Sequence, residues 1–95
     1  MKHCIIAKFG NEVADKKETL AQVKALFAAA APVEGVTGIV IHENCVARDN
    51  RYDLMIVVEM ARDALGAWDG SEIHHQWKAQ FGGMLASKAI FDYED

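Results

Sequence analysis

The chain has one proline, Pro32, and two cysteines, Cys4 and Cys45. Two thiols are too few for the disulfide framework of a small secreted domain. The opening Met1-Lys2-His3 runs straight into a short apolar segment, without the pattern of a secretory leader. A cytoplasmic location with reduced thiols is the expectation. No apolar run approaches the roughly 20 residues that span a bilayer, so no membrane contact is expected. Basic residues are also scarce, 10 against 14 acidic ones, and the two signs are interspersed at a formal net charge of -4. That excludes the basic footprint of a nucleic-acid binder. Missing as well are a nucleophile elbow, a glycine-rich phosphate loop, a Cys-x-x-Cys pair and a His-Glu-x-x-His helix. Neither a metal nor a cofactor is therefore expected. There is no internal repeat, low-complexity tract or linker, and 95 residues make a single domain, 1–95.

What the sequence does have is apolar residues, 52% of the chain. A domain this small buries a lower share of its surface than a larger one, so the surplus points to a partner surface.

Residues 2–9 read as a strand, closed by the turn signal Gly10-Asn11. Residues 15–31 read as a helix, with Asp15 as N-cap and Glu18 three positions on. Leu20, Val23, Phe27 and Ala30 recur at helical spacing, and Pro32 ends the segment. After Gly35 a second strand is expected from Val36 to about Val46, then a polar loop at 47–51 and a third strand over 52–60. Residues 61–69 and about 71–81 read as a helix broken at Gly70-Ser71, with Ser71 capping the second piece. Gly82-Gly83 leads toward a last strand over 87–93. The order β-α-β-β-α-β predicts an α+β, ferredoxin-like fold with a four-stranded antiparallel sheet and both helices on one face.

The third strand carries the main inference. Leu54-Met55-Ile56-Val57-Val58 is apolar on both faces, whereas a sheet with one solvated face alternates. The helices cover one face. Leu54, Ile56 and Val58, together with Cys4 and Ile6, are expected on the other. A second copy of the same sheet is the natural cover, giving a homodimeric α+β barrel. A monomer with a loop over the patch is the alternative, but no loop in the sequence is long enough.

Four blocks resemble the stress-responsive A/B barrel domain (Dabb) family. They are Lys2-His3-Cys4-Ile5-Ile6-Ala7-Lys8-Phe9, Arg51-Tyr52-Asp53-Leu54-Met55, Ala64-Leu65-Gly66-Ala67-Trp68 with His74 beyond it, and Ile90-Phe91-Asp92-Tyr93-Glu94. They keep the family's order and span nearly the whole chain. The resemblance implies a dimeric α+β barrel with a pocket between the sheet and helices of each protomer. Among its members are olivetolic acid cyclase-like enzymes, which close a linear polyketide by an aldol reaction without a cofactor. Their two histidines correspond to His3 and His74, and their tyrosine is Trp68 here. Tryptophan donates a hydrogen bond but cannot serve as a phenolic acid or base. Ser71 and Glu72 replace the family's first histidine and its proline.

From the residues themselves, His3 shares a strand face with Ile5, Ala7 and Phe9 by period two. There it suits a general base near neutral pH, or, as the plainer reading, a half-solvated or backbone-bonded strand-end histidine. His74 and His75 lie about 100° apart on a helix, so one of them can point inward; the resemblance picks His74. Trp68, Phe27, Met55 and Val57 are candidate linings of an apolar pocket, as are Ile5, Ala7, Leu85 and Ile90. All eight also suit plain core, because a sequence cannot show a void. Asp53 and Glu59 share the parity of Met55 and Val57 and could pair with a histidine or lie in water. Cys4 and Cys45 are expected on strands as buried, inert thiols.

Three readings of function follow. The first is a cofactor-independent cyclase- or lyase-type enzyme acting by proton transfer on a small apolar or polyketide-like ligand, with His74 as base and His3 as orienter or acid. The second is a non-catalytic, stress-associated structural dimer. The third is a cofactor-free monooxygenase of the same superfamily.

Overall fold

The computed structural model describes residues 1–95. Strand β1 (Lys2–Phe9) leads to helix α1 (Lys16–Ala28). Asp15 caps α1, its Oδ1 accepting the Glu18 N–H at 3.0 Å. The helix stops three residues short of the expected end. Pro32 has no N–H, and its ring would collide with the carbonyl four residues back, that of Ala28. Strand β2 (Val36–Glu43) is also shorter than expected, because Asn44 folds the chain over with side-chain bonds to the Val46 backbone at 2.7 and 3.3 Å. Strand β3 (Leu54–Met60) precedes a 3₁₀ turn (Arg62–Ala64) and the short helix α2 (Leu65–Asp69). Helix α3 (Glu72–Phe81), a second 3₁₀ turn (Gly82–Met84) and β4 (Leu85–Tyr93) complete the chain. The expected helix break at Gly70-Ser71 is present. The Ser71 hydroxyl donates to the Trp68 carbonyl at 2.6 Å and accepts the His74 N–H at 3.2 Å.

The four strands form one antiparallel sheet in the order β2-β3-β1-β4. Gly35 enters β2 at φ +81°, and a Cβ there would lie 2.5 Å from the Ala64 Cβ. Only glycine permits both that backbone and so close a crossing over the 3₁₀ turn.

The helices pack on one face over a core of 15 buried residues. At its centre Phe27 of α1 meets Trp77 at 5.9 Å and Trp68 at 6.5 Å between ring centroids. Such ring pairs add about 0.5–1.5 kcal/mol each beyond the area they bury.

The parity of β3 is the reverse of the expectation. Leu54, Ile56 and Val58 are buried under the helices, while Met55, Val57 and Glu59 lie on the face the helices leave open. Register decides this: Val58, Ile56 and Leu54 stand opposite His3, Ile5 and Ala7, the inward positions of β1. Cys4 and Ile6 do share the open face, as expected, across from Val57 and Met55. Val40, Phe91 and Tyr93 join them by pairing, with Phe91 62% and Val40 53% exposed. The open face thus stays apolar with a different set of β3 residues.

The cysteines part company too. Cys4 is buried, whereas Cys45 lies beyond the end of β2 and is exposed, contrary to the expectation of two buried strand thiols. Burial, with the Asp92 charge adding to it, raises the pKa of the Cys4 thiol.

Two outcomes are expected. Ile56→Ala should lower stability in chemical denaturation by about 2–5 kcal/mol, as cavity-forming changes in a filled core do; Val57→Ala should cost the isolated protomer far less. In a thiol titration of native protein near pH 8, Cys45 should alkylate quickly. Cys4, with less thiolate because its pKa is raised and with its path blocked, should react only on unfolding.

Candidate functional site

Pairing of the first and last strands builds the site. His3 stands opposite Asp92, and both side chains point to the helix side. The His3 ring is nearly enclosed, and its Nδ1 lies 2.5 Å from Asp92 Oδ1. A carboxylate at Nδ1 holds the proton on that nitrogen and leaves Nε2 as the free lone pair.

Trp68 covers this pair from α2. Its ring packs edge-on against His3 at 6.4 Å and 62°. On another side it meets the His74 ring at 5.7 Å. The indole thus packs against both histidines. His74 is half-buried, and its Nδ1 lies 2.9 Å from the Asp69 carbonyl. A carbonyl only accepts, so this nitrogen donates and Nε2 is again left free. His75, the one of the two that the resemblance did not pick, is exposed.

Trp68 is fully buried, yet its Nε1–H has no hydrogen-bond partner. An orphaned buried donor costs about 1–3 kcal/mol. It is the one buried side-chain polar atom in the molecule left this way. One indole with an unpartnered donor therefore packs against two imidazoles whose Nδ1 atoms are engaged.

Asp92 was not singled out from the sequence. Asp53 and Glu59 were the carboxylates considered, and both are engaged elsewhere. Asp53 accepts the Phe9 N–H at 2.7 Å, and Glu59 accepts the Thr37 hydroxyl at 3.1 Å. The missed signal was alternation in the last strand, which puts Ile90 and Asp92 on one face.

The expected pocket lining divides into three groups. Ile5, Ala7, Phe27 and Trp68 are core, packed with the indole of Trp77. Met55 and Val57 are corrected to the opposite face, where with Val40 and Tyr93 they line a depression of about 380 Å³. Leu85 is half-buried at the rim of the core, and Ile90 is 49% exposed beside Asp92 on the edge strand. A further groove of about 480 Å³ runs between the end of α1 and helices α2 and α3, past Ala30, Pro32, Ala67 and Ile73. No group of three histidine, cysteine, aspartate or glutamate side chains gathers as metal ligands would, and no helix is long and apolar enough to cross a membrane.

No family model matches the sequence, and no curated protein matches it. Solved structures do match, along nearly its whole length. A dimeric protein of unknown function with a ferredoxin-like fold from Bacteroides fragilis is 18% identical, with 99% of this chain and 94% of that one covered at a TM-score of 0.79. A dabb family protein with a ferredoxin-like fold from Mesorhizobium loti is 15% identical, covering 99% and 94% at a TM-score of 0.72. The hydroxynitrile lyase of Passiflora edulis is 7% identical, covering 97% and 89%, also at 0.72. Identities this low speak to architecture, and on that ground the chain has the ferredoxin-like fold described for the first two.

Proposed function

We propose that this chain is a homodimeric protein of the stress-responsive A/B barrel type that uses His3 for cofactor-independent proton transfer on a small apolar ligand bearing an oxygen. The four sequence blocks and the shared fold support the family. The apolar open face and the neighbours described as dimeric support the pairing of two sheets. Free thiols on both cysteines suit a reducing compartment such as the cytoplasm.

The His3–Asp92 pair carries the chemical reading. Asp92 fixes the tautomer and steadies the imidazolium that forms when Nε2 takes a proton. The orphaned Trp68 N–H supplies a donor for the ligand oxygen, where negative charge develops. On this reading His3 is the base and His74 the second proton carrier, the reverse of the roles expected from the sequence. The reaction class is carbon–carbon bond formation or cleavage next to an oxygen, as in an aldol closure or its reversal. In cleavage of a hydroxynitrile the base takes the hydroxyl proton, the carbon–carbon bond breaks, and cyanide leaves with the electron pair and is protonated. No electron acceptor is consumed. A neighbour that is a hydroxynitrile lyase is consistent with this class. Ile90, half exposed beside Asp92, offers an apolar shelf for a polyketide-like or aromatic ligand.

A non-catalytic dimer is the second reading. The filled space between sheet and helices, occupied by the two indoles, favours it.

The two separate in one set of measurements with benzaldehyde and its hydroxynitrile as probes. The proposal expects the Trp68 indole N–H resonance to shift on adding either probe, and aldehyde to be released from the hydroxynitrile. His3→Ala should cut release by about 10²–10⁴-fold. Asp92→Asn should lower it too, and His75→Ala should leave it unchanged. No resonance shift and no release by the wild-type protein would leave the non-catalytic dimer.

A further inference from the structure

We infer a second binding site, for a compact polyanion, at the end of the molecule away from His3. The loop from Asn44 to Asp53 walls a bowl of about 800 Å³ against Lys8 of β1 and Lys16 of α1. Along β1, Lys8 is roughly 17 Å from His3, five residues at strand rise. Neither Trp68 nor either of the histidines His3 and His74 touches the bowl.

The loop is held in shape by its own bonds. The Asn44 N–H donates to the Asp53 carbonyl at 3.0 Å, and the Arg51 N–H donates to the Arg48 carbonyl at 3.2 Å. Lys8 Nζ clasps the Asp49 carbonyl from β1. The concavity is therefore built into the fold.

Its charge runs against that of the chain. Lys8, Lys16, Arg48 and Arg51 line it against two carboxylates, Asp49 and Asp53, in a protein of net charge -4. Asp53 is already committed to the Phe9 N–H and, at 3.8 Å, to Lys16. Lys8, Arg48 and Arg51 make no ion pair at all. Lys8 and Arg51 bond only to neutral oxygens, the latter to Asn50 Oδ1 at 2.7 Å. Three cations without an ion pair thus line one bowl, against the single unpaired carboxylate of Asp49. Guanidinium groups favour planar, bidentate oxyanions, so the matching ligand carries phosphate or several carboxylates. A concave wall also focuses the field on such a ligand.

Cys45 lies in the bowl and is the exposed thiol, so it reports on occupancy. The test titrates the full-length protein with inorganic pyrophosphate and, separately, with citrate at low salt. Saturable binding of either, one per chain, is expected. The double variant Arg48→Gln/Arg51→Gln should bind at least about tenfold more weakly, since each charge-assisted bond is worth more than a neutral one. An aromatic disulfide reagent bearing two carboxylates should label Cys45 faster than a neutral dipyridyl disulfide, and pyrophosphate should slow the charged reagent. The double variant should lose that preference while keeping its circular dichroism spectrum. Absence of saturable binding by both anions, or equal affinity in the double variant, would overturn the site. His3→Ala should leave the anion affinity unchanged, so the bowl and the His3 proposal fail independently.

Discussion

A sheet of four strands has two faces, and the helices of this chain cover only one of them. On the covered side Trp68, Trp77, Phe27 and Phe81 fill the space above Ile5, Ile56 and Val58. On the open side Ile6, Val40, Met55, Val57, Phe91 and Tyr93 meet solvent, with Phe91 the most exposed large apolar side chain. At about 25 cal/mol per Å², covering such a face recovers several kcal/mol, a large share of the stability of a 95-residue domain. Nothing in the chain reaches round to do so. The imbalance between one covered and one bare apolar face is the constraint from which the proposed dimer follows.

The same sheet sets the candidate site. Pairing β1 with β4 puts the last strand's Asp92 against the first strand's His3, 89 residues away in sequence. The carboxylate then fixes which imidazole nitrogen is free. Trp68 reaches this place because the break at Gly70-Ser71 ends α2 and turns α3, with the Ser71 hydroxyl binding both sides of the break. A tyrosine at this position would bring a titratable phenol; tryptophan brings only a donor, and here that donor is unused. The proposed chemistry, proton movement at imidazole with hydrogen-bond support from indole, uses only these groups.

Much of this was legible in the sequence. The element order, the Asp15 and Ser71 caps and the inward face of β1 follow from local patterns that tertiary structure leaves intact. The parity of β3 was not legible, because a strand apolar on both sides reads the same when turned over; only its register against β1 distinguishes Ile56 from Val57. Asp92 was missed for a related reason. Its role depends on a cross-strand partner at the far end of the chain, and no local pattern encodes that pairing. Cys45 fell outside its expected strand because Asn44 bends the backbone by side-chain bonds that periodicity does not register.

The bare sheet face can be tested by sedimentation at micromolar concentration, comparing the wild-type chain with Val57→Asp. Pairing through the open face predicts a wild-type species of twice 10.5 kDa and a folded variant that sediments near 10.5 kDa. A wild-type chain that stays folded and sediments as a single subunit would contradict it.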